Sequence, residues 1–179
     1  MRPLLFTIIV TLFTSTSFGQ YPNSNRTFAG DEKYVKELDS ISFLIKKSPT
    51  NSTLYFERYK IGKFKIADSR KYNLHQFDLD KCISLDSTNA KYYFERASYY
   101  QDEKKDYKAA LKDLDSAIKF ESDNPKYFKS RGSLKYFDLE DKIGGCSDWT
   151  IGSKLKDKEP FAYMEGSQET CERFLERCK

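Results

Sequence analysis

Glycine and proline are scarce in this chain, eight and five among 179 residues. An architecture of many short strands joined by tight turns draws heavily on both, so their scarcity disfavours one. Histidine is rarer still, because His75 is the only one. With it go the Cys–His spacings of a zinc site, and the chain also has no paired-glycine phosphate loop and no serine in a nucleophile-elbow setting. No sign of charge dominates: 31 basic residues against 27 acidic ones leave a net charge of +4. Binding to phosphate backbones needs a concentrated basic surface, so no nucleic acid is expected as a partner. No apolar run spans a bilayer comfortably either, the longest being Leu4–Phe13, which threonines interrupt.

What is present is 39% hydrophobic, 16% aromatic and 32% charged, the profile of a folded chain. The first nineteen residues differ in kind from the rest. Arg2 supplies a short positive region, the apolar run follows, and Ser17-Phe18-Gly19 offers small residues before Gln20. This pattern predicts a cleaved secretory signal over residues 1–19, with cleavage near Gly19-Gln20 and no stable membrane span afterwards. No cysteine directly follows the apolar run, which leaves a lipid anchor unsupported. Residues 20–30 are polar and aperiodic and read as a flexible leader. Export to the periplasm, the cell envelope or the medium would place the four cysteines where disulfides persist.

The strongest signal is self-similarity. Asn89-Ala90-Lys91-Tyr92-Tyr93-Phe94-Glu95-Arg96-Ala97-Ser98 returns 35 residues later as Asn124-Pro125-Lys126-Tyr127-Phe128-Lys129-Ser130-Arg131-Gly132-Ser133. Tyr-Phe-Glu-Arg occurs at 55–58 and again at 93–96. Within 106–120, Tyr107, Ala110, Leu111, Leu114, Ala117 and Ile118 recur at steps of three and four, one face of a helix capped by Asp106. The preceding segment, with Tyr93, Ala97 and Tyr100, is a second helix, so the unit is a helical hairpin. Repeats are predicted at about 52–87, 89–122 and 124–156, after a half-unit at 31–48 and before a closing helix at 159–178. The first hairpin departs from the pattern. Its first helix starts three residues early, Tyr59 stands where Ala97 is expected, and His75 stands at the Ala110 position. Asp78, Asp113 and Asp148 recur with the period, which predicts them as repeat features on the solvated side of the second helices.

Small residues at these positions, the Asp-Tyr start of a second helix and the Asn-Pro between units resemble the tetratricopeptide repeat family, here as an exported protein of bacterial type. The resemblance covers about 31–155, with a 35-residue spacing in place of the family's usual 34. It implies an all-α, right-handed solenoid of hairpins closed by a C-terminal capping helix, whose first helices line a concave groove for a peptide or protein. It implies no catalysis. The family's clamp for chaperone carboxylate tails is not matched, since the relevant positions hold mainly Phe56, Lys60, Glu95, Lys126 and Ser130.

On this reading the groove is lined by Phe56, Lys60, Phe64, Lys91, Phe94, Ser98, Gln101, Lys126, Lys129, Ser133, Tyr136 and Phe137, with Thr53 beside them. Aromatics next to lysines suit an extended peptide with apolar side chains and some acidic character. Arg58, Lys60, Lys63, Lys65, Arg70 and Lys71 make the first hairpin locally basic, either a solvated face or an anion site. Cys146 and Cys171 lie about equally far from the turn near Asp157-Lys158. In an antiparallel helix pair they would face each other, which predicts a disulfide. Cys178 is then left over, and Cys82, at the Ala117 position, reads as a buried thiol. His75 reads as a core or groove-edge residue. The chain is therefore expected to be a non-catalytic binding scaffold without cofactor or metal, its partner an unidentified protein or peptide. The alternatives are an envelope or carbohydrate-associated structural component and, least favoured, an enzyme.

Overall fold

A computed structural model describes residues 31–65, 74–155 and Cys171. The predicted signal segment, leader and first-hairpin turn lie outside the described residues, as do Cys178 and the closing helix apart from Cys171. Among the described residues there are helices and no strands. In chain order these are α1 (Asp31–Lys47), α2 (Ser52–Lys65), α3 (Leu74–Leu85), α4 (Ala90–Tyr99), α5 (Tyr107–Phe120), α6 (Pro125–Ser133) and α7 (Lys142–Lys154). Hairpins α2–α3, α4–α5 and α6–α7 stack in sequence, with α1 packed on α2 as the half-unit. The result is an all-α, right-handed solenoid of helical hairpins. No helix among the described residues is long and apolar enough to cross a membrane.

The helix starts follow from local chemistry. Asp106 accepts a hydrogen bond from the Ala109 amide at 3.0 Å, and Asp141 does the same for Gly144 at 2.8 Å. Each satisfies an amide that the first turn leaves without an intrahelical acceptor. Asn124 caps α6 through the Lys126 amide, with Pro125 already in helical geometry at the first position.

The ends of the first helices account for the repeat length. α4 runs into a π-helical turn at Tyr100–Lys104, and α6 into another at Leu134–Asp138. A π turn closes over five residues instead of four and so holds one residue more than an α turn. That residue turns a 34-residue unit into a 35-residue one. Both turns end the same way: Lys105 (φ 54°) and Glu140 (φ 57°) adopt the left-handed conformation. The Asp106 and Asp141 amides then reach back to the carbonyls of Tyr100 and Lys135.

The core lies in layers between helices. Tyr59, Leu79, Cys82, Tyr92 and Tyr99 pack between the first and second hairpins. Ala97, Ala110, Leu114 and Leu134 fill the next layer, and Ala90, Ala117 and Tyr127 flank it. Small residues permit this spacing. A Cβ on Gly132 would stand 2.9 Å from the Gly145 carbonyl oxygen and 2.6 Å from Trp149 Cδ1, so these backbones touch where any side chain would intrude.

The recurring aspartates are not on the solvated side. Asp78, Asp113 and Asp148 are 0, 3 and 2% exposed. Each accepts a two-pronged bond from the arginine of its own hairpin's first helix: Arg58 on Asp78 (3.0 and 2.6 Å), Arg96 on Asp113 (2.8 and 2.8 Å) and Arg131 on Asp148 (2.8 and 2.6 Å). The remaining Nη1 reaches the previous layer, where Arg96 meets Asp80 and Arg131 meets Asp115, both at 2.7 Å, and Arg58 meets Ser42 Oγ at 3.2 Å. Each of these three arginines therefore staples two helices of one hairpin to a helix of the preceding layer. The fork geometry matches a carboxylate, which is what makes a buried aspartate tolerable here. Arg58 thus belongs to the interior staple and not to a solvated basic face. The guanidinium also lies over the ring three residues earlier: 5.8 Å for Arg58 on Tyr55, 5.9 Å for Arg96 on Tyr93 and 5.6 Å for Arg131 on Phe128.

The far end is pinned covalently. Cys146 and Cys171 form the predicted disulfide, with Cα atoms 5.2 Å apart, and both are buried against Trp149 and Tyr136. Closing a loop of 25 residues stabilises the fold by about 3 kcal/mol in the chain-entropy account.

Candidate functional site

The twelve residues predicted to line a groove fall into three groups. Lys60 and Phe56 of α2 and Lys91 of α4 come together, with the ammonium groups of Lys60 and Lys91 5.6 and 5.2 Å from the Phe56 ring centroid. Phe56 is itself 6% exposed and packs on Tyr59 and Tyr92, so it forms a floor under the lysines and not a free aromatic. Phe94 is half-buried, its ring 5.0 Å from that of Tyr127. Lys91 and Lys126 are exposed. Lys60 also pairs with Glu57 one turn away at 2.7 Å.

The second group is engaged in the scaffold. Gln101 donates to Asp138 at 2.9 Å and so ties the π turn of the second hairpin to that of the third. Ser98 donates to the Phe94 carbonyl, and the Lys129 carbonyl accepts from the Trp149 indole at 3.2 Å. Ser133 is half-buried. The third group lies at the disulfide end, where Tyr136 packs on the bridge and on Trp149 while Phe137 is 69% exposed beside them. The Phe64 side chain lies outside the described residues.

A cleft that this pattern did not anticipate opens where the first hairpin meets the second. It has a volume of about 70 Å³ and is lined by Tyr59, Lys63, His75, Ser98, Tyr99, Asp102 and Glu103. The two misfits of the first hairpin form its wall: the His75 ring stands edge-on to Tyr59 at 5.6 Å and to Tyr99 at 6.4 Å. Gly62 gives the imidazole room, since a Cβ there would lie 2.9 Å from Nε2. Burial is the main force holding His75 below the usual imidazole pKa. Lys63 pushes the same way, while Glu103 and the Gly62 carbonyl oppose it. Nε2 is buried with no hydrogen-bond partner among the described residues. Glu95 organises the neighbouring groups, accepting from Tyr59 Oη at 2.8 Å and pairing with Lys63 at 2.9 Å. The paired anomalies at 59 and 75, together with the early start of α2, are the sequence signal that marks this cleft.

Cys82 is buried, its thiol is pushed up to about 12 chiefly by burial, and it donates to the Ser52 carbonyl at 3.3 Å. Among the described residues, no three His, Cys, Asp or Glu side chains gather as a metal site.

No family model matches the chain, and no curated protein does. Solved structures do resemble it. One titled as the crystal structure of MamA superposes with a TM-score of 0.61 at 18% identity, covering 84% of this chain and 92% of that one. A second crystal structure of MamA protein gives 0.61 at 17% identity, covering 82% and 84%. MamA from Desulfovibrio magneticus RS-1, from residue 41 to its end, gives 0.58 at 15% identity over 73% and 72%. Likeness at such identities concerns the fold alone, and that fold is the tetratricopeptide-like stack of helical hairpins.

Proposed function

We propose that this chain is an exported, non-catalytic scaffold that grips a protein or peptide on the faces of α2, α4 and α6. One observation carries the reading. The arginines of these three helices are consumed by the interior staples, whereas Lys91 and Lys126 are exposed and Lys60 and Lys91 stand over the Phe56 ring. A stacked array held rigid by its own ion pairs offers such a surface without having to order it on binding. The lysines favour an extended partner bearing carboxylates, with apolar side chains laid against the aromatic floor. Export is supported by the apolar run at Leu4–Phe13 and by a disulfide of the kind that persists in oxidising compartments.

The test is capture from the producing cell on immobilised chain starting at Gln20, alongside Lys91→Glu/Lys126→Glu. Enrichment of one polypeptide that falls at least about tenfold with the charge-reversed variant, while its circular dichroism is unchanged, supports the reading. Retention of glycan or envelope material without any polypeptide, or capture indifferent to the charge reversal, overturns it.

A further inference from the structure

Among the described residues, one buried side-chain nitrogen has no hydrogen-bond partner: Nε2 of His75, a residue only 8% exposed. A buried polar atom left in this state needs a reason. The neutral ring fits its place, edge-on to Tyr59 and Tyr99, with Nε2 facing the space that a side chain on Gly62 would take. A proton changes this. Both ring nitrogens become donors, and a buried cation is left with an Nε2–H that makes no hydrogen bond. The charged and titratable groups around the ring differ in their readiness to help. α2 presents Lys63 and the Tyr59 hydroxyl, and Glu95 of α4 holds both, at 2.9 and 2.8 Å. Tyr99 of α4 carries the Lys104 ammonium 5.5 Å from its ring centroid. On α3 itself, Asp78 is taken by Arg58. Asp102 and Glu103 line the cleft from the π turn. Glu103 and the Gly62 carbonyl favour a charged imidazole, while burial and Lys63 oppose it.

We infer that His75 is an acid-sensitive trigger: on protonation its ring turns from Gly62 into the cleft toward Glu103, and the aromatic floor beneath Lys60 and Lys91 loosens. The cleft, about 70 Å³ in volume, gives the ring somewhere to go. The consequence travels through touching rings. His75 stands edge-on to Tyr59 at 5.6 Å, and Tyr59 stacks on Phe56 at 5.8 Å. Phe56 in turn packs on Tyr92 at 5.0 Å, beneath the two ammonium groups. Tyr59 is 1% exposed, so removing the ring beside it opens a gap that its neighbours shift to fill. The next layer holds an equivalent pair, Phe94 on Tyr127 at 5.0 Å, but Ala110 stands where the imidazole would be. The device belongs to the first junction alone. It deepens the scaffold reading, on which it rests for its purpose: a partner held over Phe56 at neutral pH is let go in acid.

The test follows ring resonances of the full chain by NMR from pH 7 to about 4: the His75 imidazole, the Phe56 and Tyr59 rings, and the Phe94 and Tyr127 rings as an internal control. Phe56 and Tyr59 are expected to shift with the midpoint of His75, below 6.5, while Phe94 and Tyr127 stay still. In His75→Gln the Phe56 and Tyr59 shifts should vanish, and unchanged Phe94 and Tyr127 resonances show that this variant folds as the parent does. Glu103→Gln removes the attracting carboxylate from an exposed position and should move the His75 and Phe56 midpoints to lower pH together. A Phe56 ring that stays still while His75 titrates, a shift that survives in His75→Gln, or midpoints that part in Glu103→Gln overturns the inference. So does a His75 that takes up no proton above pH 4, or a movement of Phe94 and Tyr127 in step with Phe56, since the whole array is then yielding. No partner is needed for this measurement, so its failure strikes the trigger and leaves the scaffold reading to the capture experiment. Polypeptide captured at pH 7 and washed below the His75 midpoint should leave the parent at least about fivefold more readily than His75→Gln, and equal release would strike the regulatory role.

Discussion

In hairpins α4–α5 and α6–α7 the facing small residues are Ala97 with Ala110 and Gly132 with Gly145, whereas in α2–α3 the same places hold Tyr59 and His75. The staple survives this change. Arg58 and Asp78 are separated by 20 residues, against 17 for Arg96 with Asp113 and for Arg131 with Asp148, yet all three pairs make the same two-pronged bond. The three added residues fall between arginine and aspartate and leave the bond unaltered. Register along the array is therefore set by charge pairing, which is directional, while the packing beside it is free to vary. The first hairpin uses that freedom to build a polar cleft where, one repeat on, Ala97, Ala110 and Leu134 fill the layer.

The largest expected effect separates the buried carboxylate of a staple from the outer one. Asp113→Ala removes the buried partner of Arg96 and leaves a largely buried guanidinium with Asp80 alone, at a cost of about 3 kcal/mol in urea-induced unfolding. Asp115→Ala removes the outer partner of Arg131, a carboxylate 55% exposed, and is expected to cost no more than about 0.5 kcal/mol. Equal costs for the two variants would mean that the staple between layers, and not the bond within the hairpin, carries the stability.

The next effect sets the closed hairpin against the open one. Gly132→Ala drives a methyl into the Gly145 carbonyl oxygen and Trp149, neither of which retreats without moving a helix, so about 2 kcal/mol is expected to be lost. Gly62→Ala meets only the His75 ring, at 2.9 Å from Nε2. That side chain adjoins a cleft and can shift, and the gain in helix propensity, about 1 kcal/mol, offsets the crowding. The melting temperature of Gly62→Ala should lie close to the parent's. A loss as large as that of Gly132→Ala would show that the cleft is as rigid as the closed layers.

Much of the fold was legible because packing positions repeat. Tyr93 and Phe128 were read as equivalents, and the structure gives them the same neighbour, an arginine over the ring. The disulfide followed from the hairpin geometry. The buried aspartates were misread as solvated because an isolated carboxylate on a helix belongs in water. What corrected them is an arginine 17 or 20 residues away across a turn, which helical periodicity does not register. The signal was present all the same, since arginine and aspartate recur with the same period. Of the residues expected in a groove, Lys91 and Lys126 are exposed while Phe56 is buried, which shows that an i, i+3, i+4 pattern cannot separate a floor from a wall. The cleft was written in two misfits whose meaning depends on tertiary packing.

The smallest effect probes the open hairpin through its one titrating imidazole. Burial, the largest influence, lowers the pKa of His75 below 6.5, with Lys63 acting in the same direction and Glu103 and the Gly62 carbonyl against it. The folded state therefore binds fewer protons than the unfolded chain just below pH 6.5. His75 contributes stability that is fully present above that value and is lost as pH falls toward its folded-state pKa. His75→Gln should remove this part of the pH dependence, so that the stability of the variant changes less between pH 6.5 and 5 than the parent's. Neither Ala110 nor Gly145, at the matching places, has a proton to exchange, so the slope belongs to the first hairpin alone. Imidazole resonances that titrate at or above 6.5, or an unchanged slope in His75→Gln, would mean that the wall of the cleft is wetter than its packing against Tyr59 and Tyr99 implies.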